Sequence, residues 1–494
     1  MLVVLDRYSF SFPRLLSIKY TPTDANPRDD GLMLRLVQSM PSLQSLTMEF
    51  SPFREANHAK LIGILESHPG LRKLDLICYV TTSSITTIQR IIQASRQLES
   101  VRLEFRSCGQ VQAMDESEWK NQCNLTSEAL YSMQDTRIRE LSLQLLSADQ
   151  QAAILPPLLE RCPLLEKLDW DYWNDSETLE RISSLFRGRS YLSLRHLYLR
   201  NESNQLLDER PALDLILSLG HGNNRSTNGS GKIYRDGIGF NNEWKAIGTT
   251  IRGLETFAIY STITFQKQGI LALIQNHSET LTALDLSYTR YLGIQVFVLL
   301  LSNLPRLQFL SIALSTRING EESTAVEGAL RTPWTALSIK CLILAIDMGT
   351  IWTGSMGDGC IGYVFSQIGR LLDLEEWHLI GPKDLLTMRR RYLGHLSELK
   401  NLKSLNFSCS EDIDIDLTDA EWMLQNWTRW THLVMYERTY RKWTSQYRQS
   451  GLMEVLKKLV DSRPWMRICG HVPGKPRDWP LRTTLNNCSC YGLN

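Results

Sequence analysis

The chain has 494 residues, of which 43% are hydrophobic and 22% are charged, a composition typical of folded proteins. It contains 54 Lys and Arg residues against 53 Asp and Glu residues, which gives a formal net charge of +1. Because a nucleic-acid backbone is held by a surplus of positive charge, this balance argues against nucleic acid as the main partner.

The N-terminus and the cysteines indicate a cellular compartment. The apolar run Met1–Leu5 is too short for the core of a signal peptide, and no run approaches the roughly 18 apolar residues of a membrane span. The ten cysteines have no paired spacing, and the nine histidines have no metal-ligand spacing. We therefore expect a reduced, intracellular protein, cytoplasmic or nuclear, with no membrane contact, bound metal or other cofactor.

One short pattern recurs along most of the chain: three apolar residues, with two residues between the first and second and one between the second and third. In the first half the copies are Leu15/Ile18/Tyr20, Leu43/Leu46/Met48, Leu71/Leu74/Leu76, Leu98/Val101/Leu103, Ile138/Leu141/Leu143, Leu165/Leu168/Trp170 and Leu194/Leu197/Leu199. In the second half they are Leu254/Phe257/Ile259, Leu281/Leu284/Leu286, Leu307/Leu310/Ile312, Ile339/Leu342/Leu344, Leu374/Trp377/Leu379, Leu402/Leu405/Phe407 and Trp430/Leu433/Met435. Eight of the thirteen intervals between successive copies are 26–28 residues long, which indicates a structural repeat.

Each copy predicts a strand followed by a helix. Leu74 and Leu76 alternate with polar residues, as in a half-buried strand, whereas Leu61 and Leu65 have helical spacing. One such unit cannot bury its own apolar face, so the copies should stack. The sequence therefore predicts an α/β solenoid, a horseshoe with a parallel concave sheet and convex helices, over residues 1–450 in about 14 degenerate repeats.

Several segments depart from the repeat. Gly220–Gly231 has no apolar residue and lies within a predicted flexible insert at 220–233. The 40-residue interval that begins at Leu98 predicts an insertion around Arg106–Asn124. Residues 451–494 are predicted to form a C-terminal cap helix and an irregular tail. Nearby tryptophans either fill this cap or form a docking surface; they are Trp422, Trp427, Trp430, Trp443, Trp465 and Trp479.

The repeat unit resembles a known class. A proline stands ahead of the strand leucine in Pro41-Ser-Leu43 and Pro69-Gly-Leu71, as in ribonuclease-inhibitor-like leucine-rich repeats, and blocks such as Leu158–Leu168 look like those of fungal F-box/leucine-rich-repeat proteins. The resemblance covers residues 12–440. It implies a non-enzymatic protein-recognition module, the substrate receptor of an SCF-type ubiquitin ligase, with a Skp1-like adaptor as a partner. The F-box itself is not detected, so a box-less scaffold or adaptor protein without a ubiquitin role is the alternative.

No motif meets the requirements of a catalytic or cofactor site. Gly357-Asp-Gly359-Cys-Ile-Gly362 matches the GxGxxG pattern of dinucleotide-binding proteins, but the preceding predicted strand does not abut the first glycine. We interpret the segment as a glycine-rich turn, and an enzyme with a site in the 347–362 insertion is the weaker alternative. Asp412, Asp414 and Asp416 lack the glycine and the glutamate of a calcium-binding loop. The prediction is a protein that is not an enzyme.

A protein partner is predicted to bind the concave face, onto which residues between and after the strand leucines should point. The candidates are Arg102, Glu104, Asp169, Asp171, Tyr198, Arg200, Tyr260, Phe309, Ile343 and His378. Neighbouring copies, roughly 5 Å apart, should bring a charged pair beside an aromatic ring in the first half, an arrangement common at binding hot spots. Phe309 and Ile343 are predicted to be exposed apolar side chains, which usually meet a partner or a covering loop. For any one candidate, an ordinary hydrated sheet face is the alternative.

Overall fold

The fold is taken from a computed structural model of the chain. The structure describes residues 16–20, 27–50, 55–80, 85–94, 97–107, 116–145, 147–171, part of 178–186, 193–200, 253–260, 267–287, 292–315, 333–347, 355–381, 393–409, 417–436, 451–471 and 489–490. The chain divides into two compact units, Met1–Leu254 and Glu255–Asn494.

The first unit alternates strands and helices. Its described strands are β1 (Ser17–Tyr20), β2 (Ser45–Phe50), β3 (Lys73–Val80), β4 (Ser100–Ser107), β5 (Glu140–Gln144), β6 (Lys167–Asp171) and β7 (His196–Arg200). Its principal described helices are α1 (Pro27–Gln38), α2 (Glu55–Ser67), α3 (Ile85–Ala94), α4 (Glu116–Tyr131) and α5 (Ala148–Glu160). The strands form a parallel sheet in which each pairs with the next along the chain.

The second unit repeats this arrangement. Its described strands are β8 (Thr256–Tyr260), β9 (Ala283–Leu286), β10 (Phe309–Ser315), β11 (Cys341–Asp347), β12 (Glu376–Gly381), β13 (Ser404–Cys409), β14 (His432–Tyr436), β15 (Arg467–His471) and β16 (Ser489–Cys490). Its described helices are α6 (Lys267–His277), α7 (Ile294–Asn303), α8 (Ser355–Ile368), a 3₁₀ helix (Leu393–Leu396), α9 (Leu417–Asn426) and α10 (Gly451–Ser462). Strands β8 to β15 pair in parallel, and β16 lies antiparallel to β15.

All fourteen predicted copies of the repeat contain a strand, β1 to β14. The apolar residues that defined the pattern are the core: Leu74 and Leu76 in β3 and Leu342 and Leu344 in β11 are all 0% exposed. Apolar residues of the helices, such as Leu61 in α2, are buried as well. The repeat prediction is therefore confirmed, and its physical basis is that the described pattern residues of β2 to β14 are removed from water together with one side of the helices.

Backbone hydrogen bonds fix the register between repeats at the residue before each strand. The carbonyl oxygen of Gln44 accepts from the N–H groups of Arg72 and Lys73, at 2.8 and 3.0 Å. In the second unit the carbonyl oxygen of Glu255 accepts from Thr282 and Ala283, at 2.9 and 3.1 Å. Because this arrangement recurs from strand to strand, equivalent side chains of successive repeats are placed side by side.

The C-terminal tryptophans divide between the core and the surface. Trp427 and Trp430 are buried and meet edge to face, with ring centroids 5.7 Å apart. The guanidinium of Arg463 donates to the carbonyl oxygens of Leu424, Trp427 and Trp430 at 2.6, 2.7 and 2.9 Å, which satisfies carbonyls at the end of α9. Trp465, in contrast, is 63% exposed. Trp443 and Trp479 lie outside the described residues.

Two local predictions are wrong, and a third is placed too far along the chain. The register retains the 40-residue spacing from Ser100 to Glu140 that predicted an insertion around Arg106–Asn124, but residues 116–124 belong to α4, which buries Cys123, Thr126 and Leu130 at helical spacing. The GxGxxG segment lies inside helix α8 and is not a turn. Strand β15 continues the parallel sheet where an irregular tail was expected, because α10 and β15 form one more strand–helix repeat.

The structure does not test the remaining local predictions. The insert at 220–233 and Asp412–Asp416 lie outside the described residues. The boundary drawn at residue 450 stays a prediction. Among the described helices, none combines the length and the apolar character needed to cross a membrane.

Candidate functional site

The sheet of the first unit has a face opposite its buried strand leucines, which we call the open face. The register places five residues of this face in one row across β3 to β7: Asp75, Arg102, Ser142, Asp169 and Tyr198. Neighbouring members of such a row are about 5 Å apart, close enough for their side chains to contact. The sheet therefore collects side chains that are far apart in sequence.

Arg102 joins two carboxylates on the open face of the first unit. Its Nε lies 3.8 Å from Asp75 Oδ1, and its Nη2 lies 3.3 Å from Glu104 Oε2. Glu104 is only 2% exposed. Burial raises the pKa of Asp75, although the positive charges of Arg102 and Lys73 oppose that rise. Arg102 is thus the cation that compensates two carboxylates withdrawn from water.

The predicted cluster on β6 and β7 is present in the register. Asp169 is the strand partner of Tyr198, and Asp171 is the partner of Arg200, so the neighbourhood expected from the repeat is confirmed. The hydroxyl of Ser142 donates to Asp169 Oδ2 at 3.2 Å. Tyr198 is 2% exposed, and Lys167 Nζ lies 5.3 Å from the centre of its ring. An exposed tyrosine was expected, and burial among its neighbours removes that exposure. The side chains of Asp171 and Arg200 are outside the described residues.

The equivalent row in the second unit is more deeply buried. Its five members are Asp285, Ser311, Ile343, His378 and Asn406, in register across β9 to β13. All five are 8% exposed or less. The expected exposure of Ile343 is therefore wrong, since side chains about 5 Å away on both sides shield it.

The other predicted residues of the second unit differ in what the structure describes. Phe309 stands one row away, in register with Cys341, and is partly exposed. Tyr260 closes strand β8, but its side chain is outside the described residues. Whether any of the candidate residues contacts a partner stays a prediction.

Polar contacts involve three members of this buried row. Asp285 Oδ1 accepts from the backbone N–H and the hydroxyl of Ser287, at 3.0 and 2.7 Å. The amide of Asn406 contacts the ring of His378, with 3.1 Å between Nδ2 and Nδ1. These contacts hold the polar side chains in fixed orientations, which a buried polar group needs if it is not to destabilise the fold.

His378 of this row meets two neighbouring side chains that also carry metal-ligating atoms. Cys341 Sγ lies 3.9 Å from Glu376 Oε2, and His378 Nε2 lies 3.9 Å from the same oxygen. One ligand atom from each residue can be chosen so that all three lie within 4.8 Å of one another. Burial, together with the carboxylates of Glu376 and Asp285, raises the pKa of Cys341 well above its ordinary value. A thiol in this environment is a poor nucleophile, because nucleophilic cysteines need a stabilised thiolate.

Sequence reasoning missed Cys341 and Glu376 because their distance along the chain resembles no metal-binding motif. The signal was nonetheless present in the repeat itself. Cys341 and Glu376 both occupy the position before the second apolar residue of their copies, and His378 occupies the position after it. Aligning the copies by phase would have placed the three side chains together.

The other two described thiols are protonated near pH 7, and one buried histidine is neutral there. Burial raises the pKa of Cys162 to about 12, although its hydrogen bond with the hydroxyl of Thr136 opposes the rise. Burial and Asp149 raise the pKa of Cys123 to about 11. Burial lowers the pKa of His277 to about 4, so this ring is neutral near pH 7.

Comparisons with known proteins give structural likeness only. No protein-family model matches the chain, and no curated protein matches it. A chain from the crystal structure of the yeast Rad7 and Elc1 complex is 15% identical to this chain. The match covers 82% of this chain and 73% of that chain, with a TM-score of 0.34. The leucine-rich repeat-containing protein LegL7 of Legionella pneumophila is 11% identical, with 77% and 96% covered and a TM-score of 0.36. The Leptospira interrogans leucine-rich-repeat protein LIC12759 is 12% identical, with 91% and 93% covered and a TM-score of 0.30.

The class of the protein follows from its own architecture. Strand–helix units with the LxxLxL pattern stack in sequence order, pair their strands in parallel and bury the pattern residues. These features define an α/β leucine-rich-repeat solenoid.

Proposed function

We propose that this chain is a non-enzymatic protein-recognition module, and that a protein partner binds the open face of the first unit. The observation that carries the proposal is the row of charged side chains in register on that face. Asp75, Arg102 and Asp169 are partly exposed, and Lys73 and Glu140 at its border are exposed. A partner surface can therefore reach both signs of charge on a rigid frame.

Arg102 is the residue most suited to lie at the centre of such an interface. Arginine is enriched at binding hot spots, since its guanidinium donates several hydrogen bonds in fixed directions. Its side chain is 33% exposed, so part of the guanidinium remains accessible while two carboxylates hold it in place. Holding the side chain in advance reduces the entropy lost on binding.

The chemistry of the described residues supports recognition over catalysis. The raised pKa values of Cys123, Cys162 and Cys341 disfavour thiolate nucleophiles. The GxGxxG segment is helical, which is incompatible with a loop that wraps a pyrophosphate. These observations weaken the alternative of an enzyme with a site at 347–362.

A narrower role comes from the sequence resemblance to F-box proteins. In that role the open face would bind the substrate of an SCF-type ubiquitin ligase, and another part of the chain would bind a Skp1-like adaptor. A scaffold without a ubiquitin role would use the same face but recruit no adaptor. The two roles therefore differ in one measurable partner.

Affinity capture with the full chain, followed by quantitative mass spectrometry, tests the proposal. We expect Arg102→Glu, once circular dichroism shows that it folds without its pairs to Asp75 and Glu104, to reduce recovery of the main partner at least ~10-fold, because reversing a central charge opposes the partner's complementary charge. Arg90→Glu is the matched control, since Arg90 is an exposed residue of helix α3. It should leave recovery unchanged.

The outcomes separate the candidates. Recovery of a Skp1-like adaptor together with a second protein supports the ligase receptor, and recovery of proteins without an adaptor supports the scaffold. Capture that disappears after nuclease treatment would identify a nucleic-acid partner and contradict the proposal. Equal capture by Arg102→Glu and the wild type would exclude this face as the binding surface.

A further inference from the structure

We propose that Cys341, Glu376 and His378 form a binding site for a divalent transition-metal ion, and that zinc is the ion these ligands match best. The site lies on the face of the second unit's sheet that carries the buried row of Asp285 to Asn406, across strands β11 and β12. The proposal does not depend on the recognition function, because it concerns metal bound by this chain alone.

The distances suit a tetrahedral zinc site after a small contraction. Typical zinc–ligand bond lengths give a sulfur-to-oxygen separation of about 3.6 Å and a nitrogen-to-oxygen separation of about 3.4 Å. Both corresponding distances are 3.9 Å here, from Glu376 Oε2 to Cys341 Sγ and to His378 Nε2. These two separations exceed the zinc values by a few tenths of an ångström, and the three ligand atoms all lie within 4.8 Å of one another. The strand register sets Cys341 beside Glu376.

The surroundings favour a cation over an empty cluster. The side chains of Glu376 and His378 are 17% and 4% exposed, and Asp285 contributes a further negative charge near the thiol. A divalent cation bound here would balance the negative charge of the carboxylates in a largely buried position.

Asn406 is placed to orient the histidine ligand. Its amide contacts Nδ1 of His378 at 3.1 Å, on the ring nitrogen that does not face Glu376. If the amide is turned so that its oxygen accepts from Nδ1–H, Nε2 presents its lone pair to Glu376 and Cys341. Metal-binding histidines are commonly fixed in this way through their second nitrogen. Asn406 is therefore a positioning residue and not a ligand.

The ligand types decide the class of ion. A thiolate and an imidazole favour zinc over magnesium or calcium, which prefer sites made of oxygen. Three protein ligands leave the fourth tetrahedral position open to water. A site of this composition would connect two neighbouring repeats and stabilise the strands that carry the ligands.

Cobalt titration of the full chain, after treatment with a chelator and dialysis, tests the site. Cobalt replaces zinc in such sites and reports its ligands by absorption. We expect one cobalt ion per chain, a thiolate-to-cobalt charge-transfer band and displacement by zinc. Cys341→Ser should abolish the charge-transfer band, and Glu376→Gln and His378→Gln should each weaken binding at least ~10-fold. Asn406→Ala should weaken binding ~10-fold while the band persists.

Cys162→Ser is the matched control, because Cys162 is a buried cysteine of the first unit and should not affect cobalt binding. Circular dichroism establishes that each variant is folded, and Cys341→Ala replaces Cys341→Ser if the serine variant does not fold. Absence of stoichiometric binding by the wild type overturns the proposal. So does an unchanged spectrum in folded Glu376→Gln together with either Cys341 variant.

Discussion

Burial of a single histidine makes the stability of the second unit depend on pH. His277 ends helix α6, is 1% exposed, and burial lowers its pKa from an ordinary value of 6.5 to about 4. The unfolded chain therefore binds a proton more readily than the folded one between these values. The neutral His277 ring therefore does not reduce the free energy of unfolding above the unfolded-state pKa. As the pH falls from that value toward the folded-state pKa, the free energy of unfolding decreases.

We expect the titration of His277 to lower the free energy of unfolding by about 2 kcal/mol when the pH falls from about 7.5 to about 5. Chemical denaturation at the two pH values measures the loss, and His277→Gln should remove that part of it because glutamine does not titrate. If the variant and the wild type lose the same stability, protonation of another group governs the effect.

At the scale of single residues, the sequence correctly predicted which residues are neighbours across strands, but not which of their side chains are buried. The repeat phase placed Asp169 beside Tyr198 and Asp171 beside Arg200, and the register agrees. It could not show that Tyr198 is buried. Exposure depends on the side chains of the two adjacent repeats, and the pattern of one strand contains no information on them.

At the scale of elements, one glycine determines how closely helix α8 meets the following 3₁₀ helix. A Cβ added at Gly369 would overlap the carbonyl oxygen of His395, which belongs to backbone and cannot rotate away. Gly369→Ala should therefore destabilise the fold by about 1–3 kcal/mol, as overpacking does in other cores.

Gly63→Ala provides the opposite control. Gly63 lies in helix α2, and a Cβ there would meet nothing within 4 Å. The substitution should stabilise the fold by about 0.5–1 kcal/mol, since alanine favours the helix more than glycine does. Thermal unfolding of both variants measures the difference. Similar shifts for the two would show that the contact with His395 relaxes without cost.

The elements were predictable where the repeat was regular. The first part of helix α4 was assigned to the insertion because polar residues outnumber the buried Cys123, Thr126 and Leu130 that mark its inner side. Strand β15 was missed because its sequence, Arg-Ile-Cys-Gly-His, contains one strong strand former and no strand leucine. Pairing with β14 supplies the stabilisation that its own residues do not.

At the scale of the whole molecule, the described strands of each unit pair with strands that are adjacent in sequence. In an array of this kind each repeat depends mainly on its two neighbours. Deletion of residues 73–99, one complete repeat from the start of β3, should leave a folded chain with the same helix content per residue. Deletion of residues 73–86 should not leave a folded chain, because it removes β3 and the first residues of α3 and joins the turn after α2 directly to the rest of α3.

Circular dichroism and cooperative unfolding distinguish the two deletions. Loss of structure in both would mean that the repeats depend on longer-range contacts. The fold followed from the sequence because spacing alone specifies stacking of this kind. The candidate site did not follow from the sequence, because the same spacing of apolar residues allows any side chains between them. Which of these side chains lie together is known only once the strand register is known.

The short strand β16 has a consequence for solubility. It runs antiparallel along β15 through Cys469 and Gly470, and so covers backbone groups at the last parallel strand of the second unit. The unpaired backbone groups of an uncovered edge strand can pair with a strand of another molecule, which leads to aggregation. A shortened chain that lacks β16 would present N–H and C=O groups of β15 to other copies, and would tend to precipitate even though each of its repeats was intact.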